Sequence, residues 1–489
     1  MLCPVDVLLA QKERPAMTIA DTARFVRADG PDKVTGTGRY VADLTLTGML
    51  HAKFKYAGIS HARIVAIDTD AARSMAGVVS VLTAADVPDT RYSPGVADRY
   101  LFAHDVVRFD GDIVAAVAAT SPEIAMAAVE AIVVTYEPLP LVTDLEAALD
   151  ESSQLVHRDW KTYEAGETVQ GHNLASFSSL ERGDAAAALA DADIVISSRY
   201  VADGSHAVPI EPRGVVAQWE GDKVTIWSST QVPFDARAGV CETLGLPTNR
   251  VRVIVPHLGG GFGGKCGFHF EAHVAALARA ARRPVRLLFS REEEFRAPDR
   301  RREGMIIDIT TGLRADGTIV ARTGNLLIDS GAYIADGAFF PQLAAMHVAG
   351  PKIPAIKINS SLVYTNHQPS GSVRAPTAPQ SCWASNHIPM SWPELLVSTR
   401  WPSESSTAST PVTWGRPARR TTRSACNAAS TKRRQWRDTA KSCQQTKRLA
   451  SPSAGGRASA CRPVPMSRSM PTARARSLPA PKNVAQVLS

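Results

Sequence analysis

"VPHLGGGFGGKCGFHFEAHVAALARAARRPVRLLF", residues 255–289, is the most informative stretch of the chain, because five of the six residues from Gly259 to Gly264 are glycine. Glycine clusters permit positive φ angles and a close approach of the backbone to a ligand. This one lies between the strand-like "RVRVIVP" (250–256) and the helix-like "FEAHVAALARAARR" (270–283). A loop in that position directs main-chain N–H groups at whatever lies above the start of the helix. The stretch therefore predicts an anion or oxo-ligand site.

Two nucleotide-binding motifs fit the same loop only in part. Three of the glycines satisfy G-x-G-x-x-G, but a dinucleotide fold needs an acidic residue about 20 positions further on, and the chain there is the basic "RRPVRLLF" (282–289). Lys265 matches the lysine of a P-loop, but Cys266 replaces the Ser or Thr that ligates magnesium. Both nucleotide hypotheses are therefore disfavoured, while a purely structural glycine turn stays open at this point.

The net charge of +8 is carried by one end of the 489-residue chain. Residues 387–489 contain 18 Lys/Arg and 3 Asp/Glu, whereas residues 1–386 contain 37 and 44. The body is thus mildly acidic, and its length allows two or three domains. No apolar run approaches the ~20 residues of a membrane span. Residues 1–24 are expected to be a flexible extension without an export signal.

The cysteine pattern bears on compartment and cofactors. Seven cysteines are scattered along the chain with no C-x-x-C pair. This argues against an iron–sulfur or structural zinc site on this chain, and no metal-ligating residues are assigned. It favours a reducing compartment, and the predicted location is the cytoplasm.

Up to about residue 385 the chain alternates between two kinds of hydrophobic pattern, which predicts a mixed α and β protein. A domain boundary is predicted near "YEPLPLVTDLEAALDESSQ" (136–154). Predicted strands include "RIVAIDT" (63–69), "GVVSVLT" (77–83), "ADIVISSRYV" (192–201) and "KVTIWSST" (223–230). Predicted helices include "SPEIAMAAVEAIV" (121–133), "DAAAALADA" (184–192) and "PFDARAGVCETLGL" (233–246).

The residues after His387 differ in composition from the body. They contain no Phe or Tyr and a single isoleucine, and Ser, Thr, Arg, Pro and Ala dominate. Such a segment buries too little apolar area to offset its ordering entropy, so residues 387–489 are expected to be disordered. An alternative function follows: an acidic α/β binding protein whose basic arm, with arginines between tryptophans, binds nucleic acid.

A shifted reading frame explains the abrupt change better. The stretch "SNHIPMSWPELLVSTRWPSE" (385–404) can be encoded so that another frame gives ESHTDELAGAAGLDAVAFR. That peptide has an acidic start, a small-residue helix and a glycine stop, which is more typical of a folded protein. The chain is therefore predicted to be truncated or frameshifted after about residue 385, and the tail to be out of frame.

Segments of the body, in consistent order, resemble the molybdenum-cofactor subunit of the xanthine dehydrogenase/aldehyde oxidase superfamily, the molybdenum hydroxylases. The central one is "SSTQVPFDARAGVCETLGLPTNRVRVIVPHLGGGFGGK" (228–265). Segments similar to the family's hammerhead domain are "DGPDKVTGTGRYVADLTLTGMLHAKF" (29–54), "SHARIVAIDT" (60–69), "VRFDGDIVAAVAA" (107–119) and "VTYEPLPLVTD" (134–144). Segments similar to its cofactor-binding region are "SHAVPIEP" (205–212), "REEEF" (291–295), "DSGAY" (329–333) and "VYTNHQPSGSVRAPTAPQ" (363–380).

The resemblance implies an α+β fold with four parts. Residues 1–24 would be the extension and residues 25–150 an α/β-hammerhead domain. Residues 151–386 would form the first part of the molybdopterin-binding domain, and residues 387–489 the disordered basic tail. The predicted fold class is therefore a hammerhead domain followed by a partial molybdopterin-binding domain.

The resemblance also implies which residues bind the molybdenum cofactor, molybdopterin. Gln231 matches the glutamine whose amide contacts an oxo ligand of the metal. Gly261, Phe262 and Gly263 match the part of "GGGFGG" that brings backbone N–H groups to the ligand sphere. Arg374 matches an arginine of the loop that borders the active site. Without the resemblance, a solvated glutamine, a packed phenylalanine and a surface arginine would be the ordinary interpretations.

Cys266 is predicted to line the substrate pocket. Members of the family that oxidise purines have a glutamate directly after "GGGFGGK", and this chain has Cys266 there. A thiol is a weak hydrogen-bond donor and acceptor, so a xanthine-like substrate is disfavoured. Aldehydes and N-heteroaromatic compounds remain as candidate small-molecule substrates.

The implied reaction is hydroxylation with oxygen derived from water. In the family a glutamate near the C-terminus acts as general base, and electrons leave through 2Fe-2S clusters and FAD. The resemblance places those groups on partners, an iron–sulfur small subunit and an FAD subunit. No counterpart of the glutamate follows Ser385, so no catalytic residue is assigned. A chain with this sequence is predicted to be inactive by itself.

Overall fold

The structure, a computed structural model, describes the backbone of residues 27–93, 95–163, 171–267, 270–296, 300–350 and 352–395, with side chains up to residue 387. The predictions for the N-terminal extension (1–24) and for the disordered or nucleic-acid-binding tail beyond residue 395 therefore fall outside the described residues, and the shifted frame stays a prediction. For residues 387–395 the predicted disorder is wrong, because they form the second half of the helix Ala378–Leu395. Within the described residues helices and strands alternate, which confirms the predicted α+β class.

Four of the described helices, Pro122–Ala131, Ala185–Ala190, Pro233–Leu244 and Glu271–Ala281, occupy segments that the sequence pattern predicts to be helical. The helices are α1 Gly30–Thr35, α2 Asp70–Ser74, α3 Pro122–Ala131, α4 Ala185–Ala190, α5 Pro233–Leu244, α6 Glu271–Ala281, α7 Arg291–Arg296, α8 Phe340–Ala349 and α9 Ala378–Leu395. Ser121 begins α3 by accepting the N–H of Ile124 at 3.3 Å, directly before a proline. Gly245, with a φ of 63°, ends α5.

A seven-stranded sheet joins residues from both sides of the predicted boundary at residue 150. Its strands are β1 Leu50–Tyr56, β3 Val78–Thr83, β5 Ile113–Ala119, β9 Gly214–Glu220, β10 Lys223–Ser228, β11 Val251–Ile254 and β12 Val285–Leu288. Their order in the sheet is β11-β10-β9-β12-β1-β5-β3. β1 is parallel to β12 and β10 is parallel to β11, whereas the other neighbours are antiparallel. The predicted hammerhead and molybdopterin-binding regions thus share one sheet.

β5 lies in the core of this sheet, and all seven of its residues are buried. Its sequence, IVAAVAA, is one continuous run of small and branched apolar residues, as expected for a strand covered on both faces. Ala115 and Val117 pack in one cluster with Ala125 and Ala128 of α3, whereas Ala116 belongs to the larger cluster on the opposite face. The alanines let α3 approach the sheet closely.

Two further sheets complete the described fold. One has the order β4-β2-β6, with β2 Ala62–Asp68, β4 Val106–Val107 and β6 Val133–Pro138. The other has the order β7-β15-β14-β13-β8, with β7 Leu174–Arg182, β8 Ile194–Ala202, β13 Met305–Leu313, β14 Ile319–Gly331 and β15 Ala355–Tyr364. Helices α8 and α9 pack on this five-stranded sheet. The core there includes Ile307, Ile309 and Ile328, which are fully buried or nearly so.

A buried carboxylate lies at the end of β14. Asp329 accepts hydrogen bonds from the backbone N–H of Gly331 at 2.9 Å and the hydroxyl of Thr365 at 2.7 Å. It also bonds the guanidinium of Arg301 at 2.5 Å and the ring of His367 at 2.7 Å. Burial by itself would raise the pKa of Asp329, but the bond from His367 and the charge of Arg301 outweigh it and lower the pKa to about 2.

We expect this carboxylate to make the folded protein sensitive to acid. Its folded-state pKa of about 2 lies below the ordinary 3.8, so it contributes stability above about pH 4 that is lost as the pH falls toward 2. The linked loss is about 2 kcal/mol. Urea unfolding at several pH values will measure this loss. In Asp329→Asn the free energy of unfolding should depend less on pH between about pH 4 and pH 2. Asp316→Asn, at a fully exposed position, is the control, and an equal flattening there would contradict the assignment.

Candidate functional site

The glycine loop, defined here as residues 259–267, connects β11 to α6. Because β10 and β11 are parallel neighbours, the residues that follow their carboxyl ends lie at the same edge of the sheet. This places Gln231, which follows β10, beside the loop. Phe262 adopts a φ of 56°, which is rare for an aromatic residue, and the residue is 50% exposed. Strain together with exposure is typical of a ligand-binding segment.

Close contacts require glycine at two positions in the centre of the loop, 261 and 263. A Cβ atom at Gly261 would collide with the side-chain amide of Gln231. A Cβ atom at Gly263 would collide with the carbonyl of Ser372, and Gly263 also has a φ of 90°. The absence of side chains at these two positions therefore sets how closely the loop approaches both flanking segments.

Gln231 is bonded to the loop through both its backbone and its side chain. Its backbone N–H donates to the carbonyl of Lys265 at 2.8 Å. Its Oε1 accepts the N–H of Gly263 at 2.9 Å and the N–H of Lys265 at 3.3 Å. Both loop N–H groups bond the side-chain oxygen of Gln231. The Nε2 group of this exposed side chain therefore remains available to donate to a ligand.

The loop that carries Arg374, residues 371–377, lies on the other side of the glycine loop and is named the Arg374 loop. The N–H of Arg374 donates to the carbonyl of Phe262 at 2.8 Å, and its side chain is exposed. Ala375 and Thr377 follow with φ values of 57° and 58°. The structure therefore brings together all five residues predicted to bind the cofactor: Gln231, Phe262 and Arg374 are exposed there, and the buried Gly261 lies against the Gln231 side chain.

Lys265 is turned into the protein. Its side chain is fully buried, and Nζ donates to Oε2 of Glu211 at 2.9 Å. The same oxygen accepts the N–H of Gly259 at 2.7 Å. Burial lowers the pKa of Lys265, and the bond to Glu211 opposes that effect. A P-loop lysine must reach the phosphates of a nucleotide, so the P-loop hypothesis is wrong for this chain.

The sheet topology excludes the dinucleotide hypothesis as well. In a dinucleotide fold the strands before and after the glycine-rich turn and helix are parallel neighbours. Here β11 is an edge strand, and β12, which follows α6, lies between β9 and β1. The glycine motif therefore does not belong to a nucleotide-binding βαβ unit.

A second buried ion pair supports the loop from beneath. The Arg213 guanidinium pairs with Glu294 of α7 and donates to the carbonyl of Gly264. The N–H of Arg213 also donates to Glu294 at 2.9 Å. The sequence alone indicates no role for Arg213, Glu294 or Glu211, because their partners lie about 50 to 80 positions away in the chain. Only the fold brings these charges together.

Cys266 lies at the inner end of the loop. Its N–H donates to the carbonyl of Gly263 at 3.0 Å, and its side chain is half-buried. Burial raises the pKa of the Cys266 thiol, while the charge of nearby Arg300 acts in the opposite direction. The side chain is thus a neutral thiol near pH 7, with little capacity to hydrogen-bond a substrate.

The glycine loop offers donors that suit an oxo- and phosphate-rich group. The N–H groups of Gly260, Gly261 and Phe262 have no acceptor within the ranges that the structure describes. The N–H of Gly263, by contrast, is taken by Gln231. Together with the Nε2 group of Gln231 and an exposed guanidinium, these three consecutive main-chain donors make this part of the loop electropositive. The residues present therefore fit molybdopterin.

Comparisons with known proteins agree with this geometry. The family described as "Molybdopterin cofactor-binding domain" matches residues 167–389, and "Aldehyde oxidase and xanthine dehydrogenase, a/b hammerhead domain" matches residues 35–140. The nicotinate dehydrogenase large molybdopterin subunit of Eubacterium barkeri is 33% identical over 359 residues, 73% of this chain and 81% of that protein. The chain belongs to the xanthine dehydrogenase/aldehyde oxidase family of molybdopterin-binding large subunits. The resemblance and the fold predicted from it are confirmed.

Solved structures of this family share the described fold. The aldehyde oxidoreductase from Desulfovibrio gigas matches with a TM-score of 0.69 and 29% identity, over 76% of this chain and 42% of that one. Quinoline 2-oxidoreductase from Pseudomonas putida 86 matches with a TM-score of 0.63 and 32% identity, over 72% and 45%. The chain therefore spans most of the Eubacterium barkeri subunit but less than half the length of these two proteins.

Two observations bear on other kinds of site in this family member. Among the described helices, none combines the length and apolar character needed to cross a bilayer. The described His, Cys, Asp and Glu side chains form no group of three or more that could hold a metal ion directly.

Proposed function

We propose that this chain forms one wall of the molybdopterin site of a molybdenum hydroxylase, an oxidoreductase. The observation that carries the proposal is the convergence of Gln231, the glycine loop and the Arg374 loop on one exposed surface. The donors on that surface suit the cofactor that the family binds. The chain spans less than half of several relatives, so the activity of the whole protein is part of the proposal.

Each part of the site has a role in holding the cofactor. The Nε2 group of Gln231 and the N–H groups of residues 260–262 donate to its oxo and phosphate groups, and Arg374 balances negative charge. When bound, molybdopterin supplies the redox chemistry that hydroxylates an electrophilic carbon with oxygen from water. Phe262 projects from the strained centre of the loop and shields the site from water on one side.

The proposed substrates are aldehydes or N-heteroaromatic compounds. Cys266 presents a neutral thiol where a hydrogen-bonding carboxylate would recognise a purine. The relatives include an aldehyde oxidoreductase and a quinoline 2-oxidoreductase, which support both classes. Binding of one compound of each class to the cofactor-loaded protein, measured by isothermal titration calorimetry, will separate them without requiring turnover.

Neither Glu211, which bonds the glycine loop, nor Glu294, which bonds Arg213 beneath it, is assigned as the general base. Glu211 is held by Lys265 and the N–H of Gly259, and Glu294 is held by Arg213. Both carboxylates thus serve as structural anchors. A base must lie within hydrogen-bond reach of the proton that it removes, and these two face the interior.

Partner subunits complete the proposed electron path. Relatives are named as subunits of larger enzymes, such as the 6-hydroxypseudooxynicotine dehydrogenase complex of Paenarthrobacter nicotinovorans. We assign a 2Fe-2S protein and an FAD protein as partners of this chain and the cytoplasm as its compartment. Electrons would leave the site through these carriers.

Gln231→Glu tests the proposal, because it keeps the oxygen that accepts the loop N–H groups and removes the outward Nε2 donor. We expect the melting temperature to stay near that of the wild type. Molybdenum content, measured by mass spectrometry on protein purified with its partners, should fall by about 10-fold.

Gln342→Glu is the matched control, since it makes the same charge change at an exposed glutamine of α8. It should retain the molybdenum content of the wild type. Wild-type protein without molybdenum, or Gln231→Glu with full molybdenum occupancy, would refute the proposal.

A further inference from the structure

Arg302 holds the backbone of the Arg374 loop at its most strained point. Its guanidinium donates to the carbonyl of Arg374 at 2.6 Å and to that of Ala375 at 3.3 Å. Ala375 and Thr377 both lie in the left-handed region, which is rare for alanine and rarer for a β-branched residue. Residues persist in such conformations only when surrounding contacts hold them there.

Glu303, the next residue, holds the second strained position. Its side chain is fully buried, and Oε1 accepts the N–H of Thr377 at 2.6 Å. Its backbone carbonyl accepts Nε2 of Gln380 at 3.0 Å, within the first turn of α9. Adjacent side chains thus fix the two left-handed residues and the start of the helix that follows them.

Arg300 separates the two ligand-facing loops. It is 3% exposed and lies against Gly267 on one side and Gly371 on the other, so a Cβ at either glycine would collide with it. Its guanidinium pairs with Asp336, whose Oδ1 accepts the N–H of Ser372 at 3.0 Å. Arg300 therefore sets the spacing between the end of the glycine loop and the start of the Arg374 loop.

We propose that Arg300, Arg302 and Glu303 form a clasp, a set of positioning residues that holds the Arg374 loop in a strained shape against the glycine loop. The clasp keeps the N–H of Arg374 on the carbonyl of Phe262, and so keeps the exposed arginine beside the unpaired N–H groups of the glycine loop. The identity of the ligand at this site rests on the proposed function. The effect of the clasp on the conformation of the Arg374 loop is independent of it.

Hydrogen exchange of the full chain, purified with its partners, tests the clasp without relying on bound metal. In Arg302→Met, which keeps the aliphatic stem, the N–H groups of the non-proline residues in 372–378 should exchange about 10-fold faster. Exchange of β13, which begins two residues after Glu303, should stay unchanged. If Arg302 contributed only to global stability, its replacement would instead speed exchange in both segments.

Arg314→Met is the matched control. Arg314 also donates to a carbonyl and a carboxylate, both of Asp191, but at the turn between β13 and β14. It should leave exchange of residues 372–378 at the wild-type rate. Ala375→Gly added to Arg302→Met should restore most of the protection, because glycine removes the strain at that position.

The outcomes separate the clasp from the proposed function. Wild-type exchange in Arg302→Met, or an equal rise in β13, overturns the clasp. A selective rise with rescue by Ala375→Gly supports it, whether or not the wild type holds molybdenum. Molybdenum content of the same samples judges the proposed function separately, and a loss in Arg302→Met that the double variant reverses would link the clasp to the cofactor.

Discussion

Gly263→Ala should displace the Arg374 loop and prevent molybdenum incorporation. Gly263 has a φ of 90°, which strains any L-residue, and a new Cβ would meet the backbone carbonyl of Ser372. A backbone atom cannot move aside as the end of a flexible side chain can. Left-handed strain and overpacking together should lower the free energy of unfolding by roughly 2 to 4 kcal/mol. Urea unfolding and metal analysis of the same preparation will measure both effects.

Gly245→Ala provides the matched control for Gly263→Ala. Gly245 ends α5 with a φ of 63°, but nothing lies within 4 Å of the position that a Cβ would take. Gly245→Ala therefore measures the effect of backbone strain alone, which should lower the free energy of unfolding by about 1 kcal/mol. Molybdenum content should stay at the wild-type level. If the two variants lose stability equally, the contact with Ser372 does not determine the loop position.

Local hydrophobic patterns were sufficient to predict several elements, among them the helices α3 and α5. In the structure Ser121 begins α3 and Gly245 ends α5, so interactions between neighbouring residues also set the ends of these helices. β5 was harder to place by periodicity, since all of its residues are buried and its sequence does not alternate. The pairing of β1 with β12 joins residues more than 200 positions apart, and no local pattern encodes it.

The position of the glycine loop predicts an anion or oxo-ligand site, but the cofactor and the roles of Gln231 and Arg374 are implied only by the resemblance. The glycines and Lys265 are equally compatible with a P-loop, and the direction of the lysine decides between the alternatives. That direction depends on Glu211, which lies 54 positions earlier and faces the loop only in the folded chain. The clasp was missed for the same reason, because a run of three arginines and a glutamate suggests a solvated surface until its partners are known.

Lys265→Met should destabilise the protein by about 3 to 5 kcal/mol, because it leaves Glu211 as an uncompensated charge in the interior. The Glu211 side chain is only 13% exposed, and the N–H of Gly259 would be its one remaining partner among those the structure records. Adding Glu211→Gln should recover much of the loss, since the amide oxygen still accepts that N–H. Urea unfolding near neutral pH of both single variants and the double variant gives the coupling energy.

Lys357→Met is the control for this cycle. Lys357 pairs with Glu181 at 3.1 Å, but more than half of each side chain is exposed, so the loss should stay within about 1 kcal/mol. The P-loop hypothesis predicts the opposite result, because it requires Lys265 to be exposed to a nucleotide. Replacing Lys265 would then abolish magnesium-dependent ATP binding without unfolding the protein. A Lys265→Met variant as stable as the wild type would therefore contradict the inward orientation of this lysine. It would also undermine the anchoring of the loop on which the site depends.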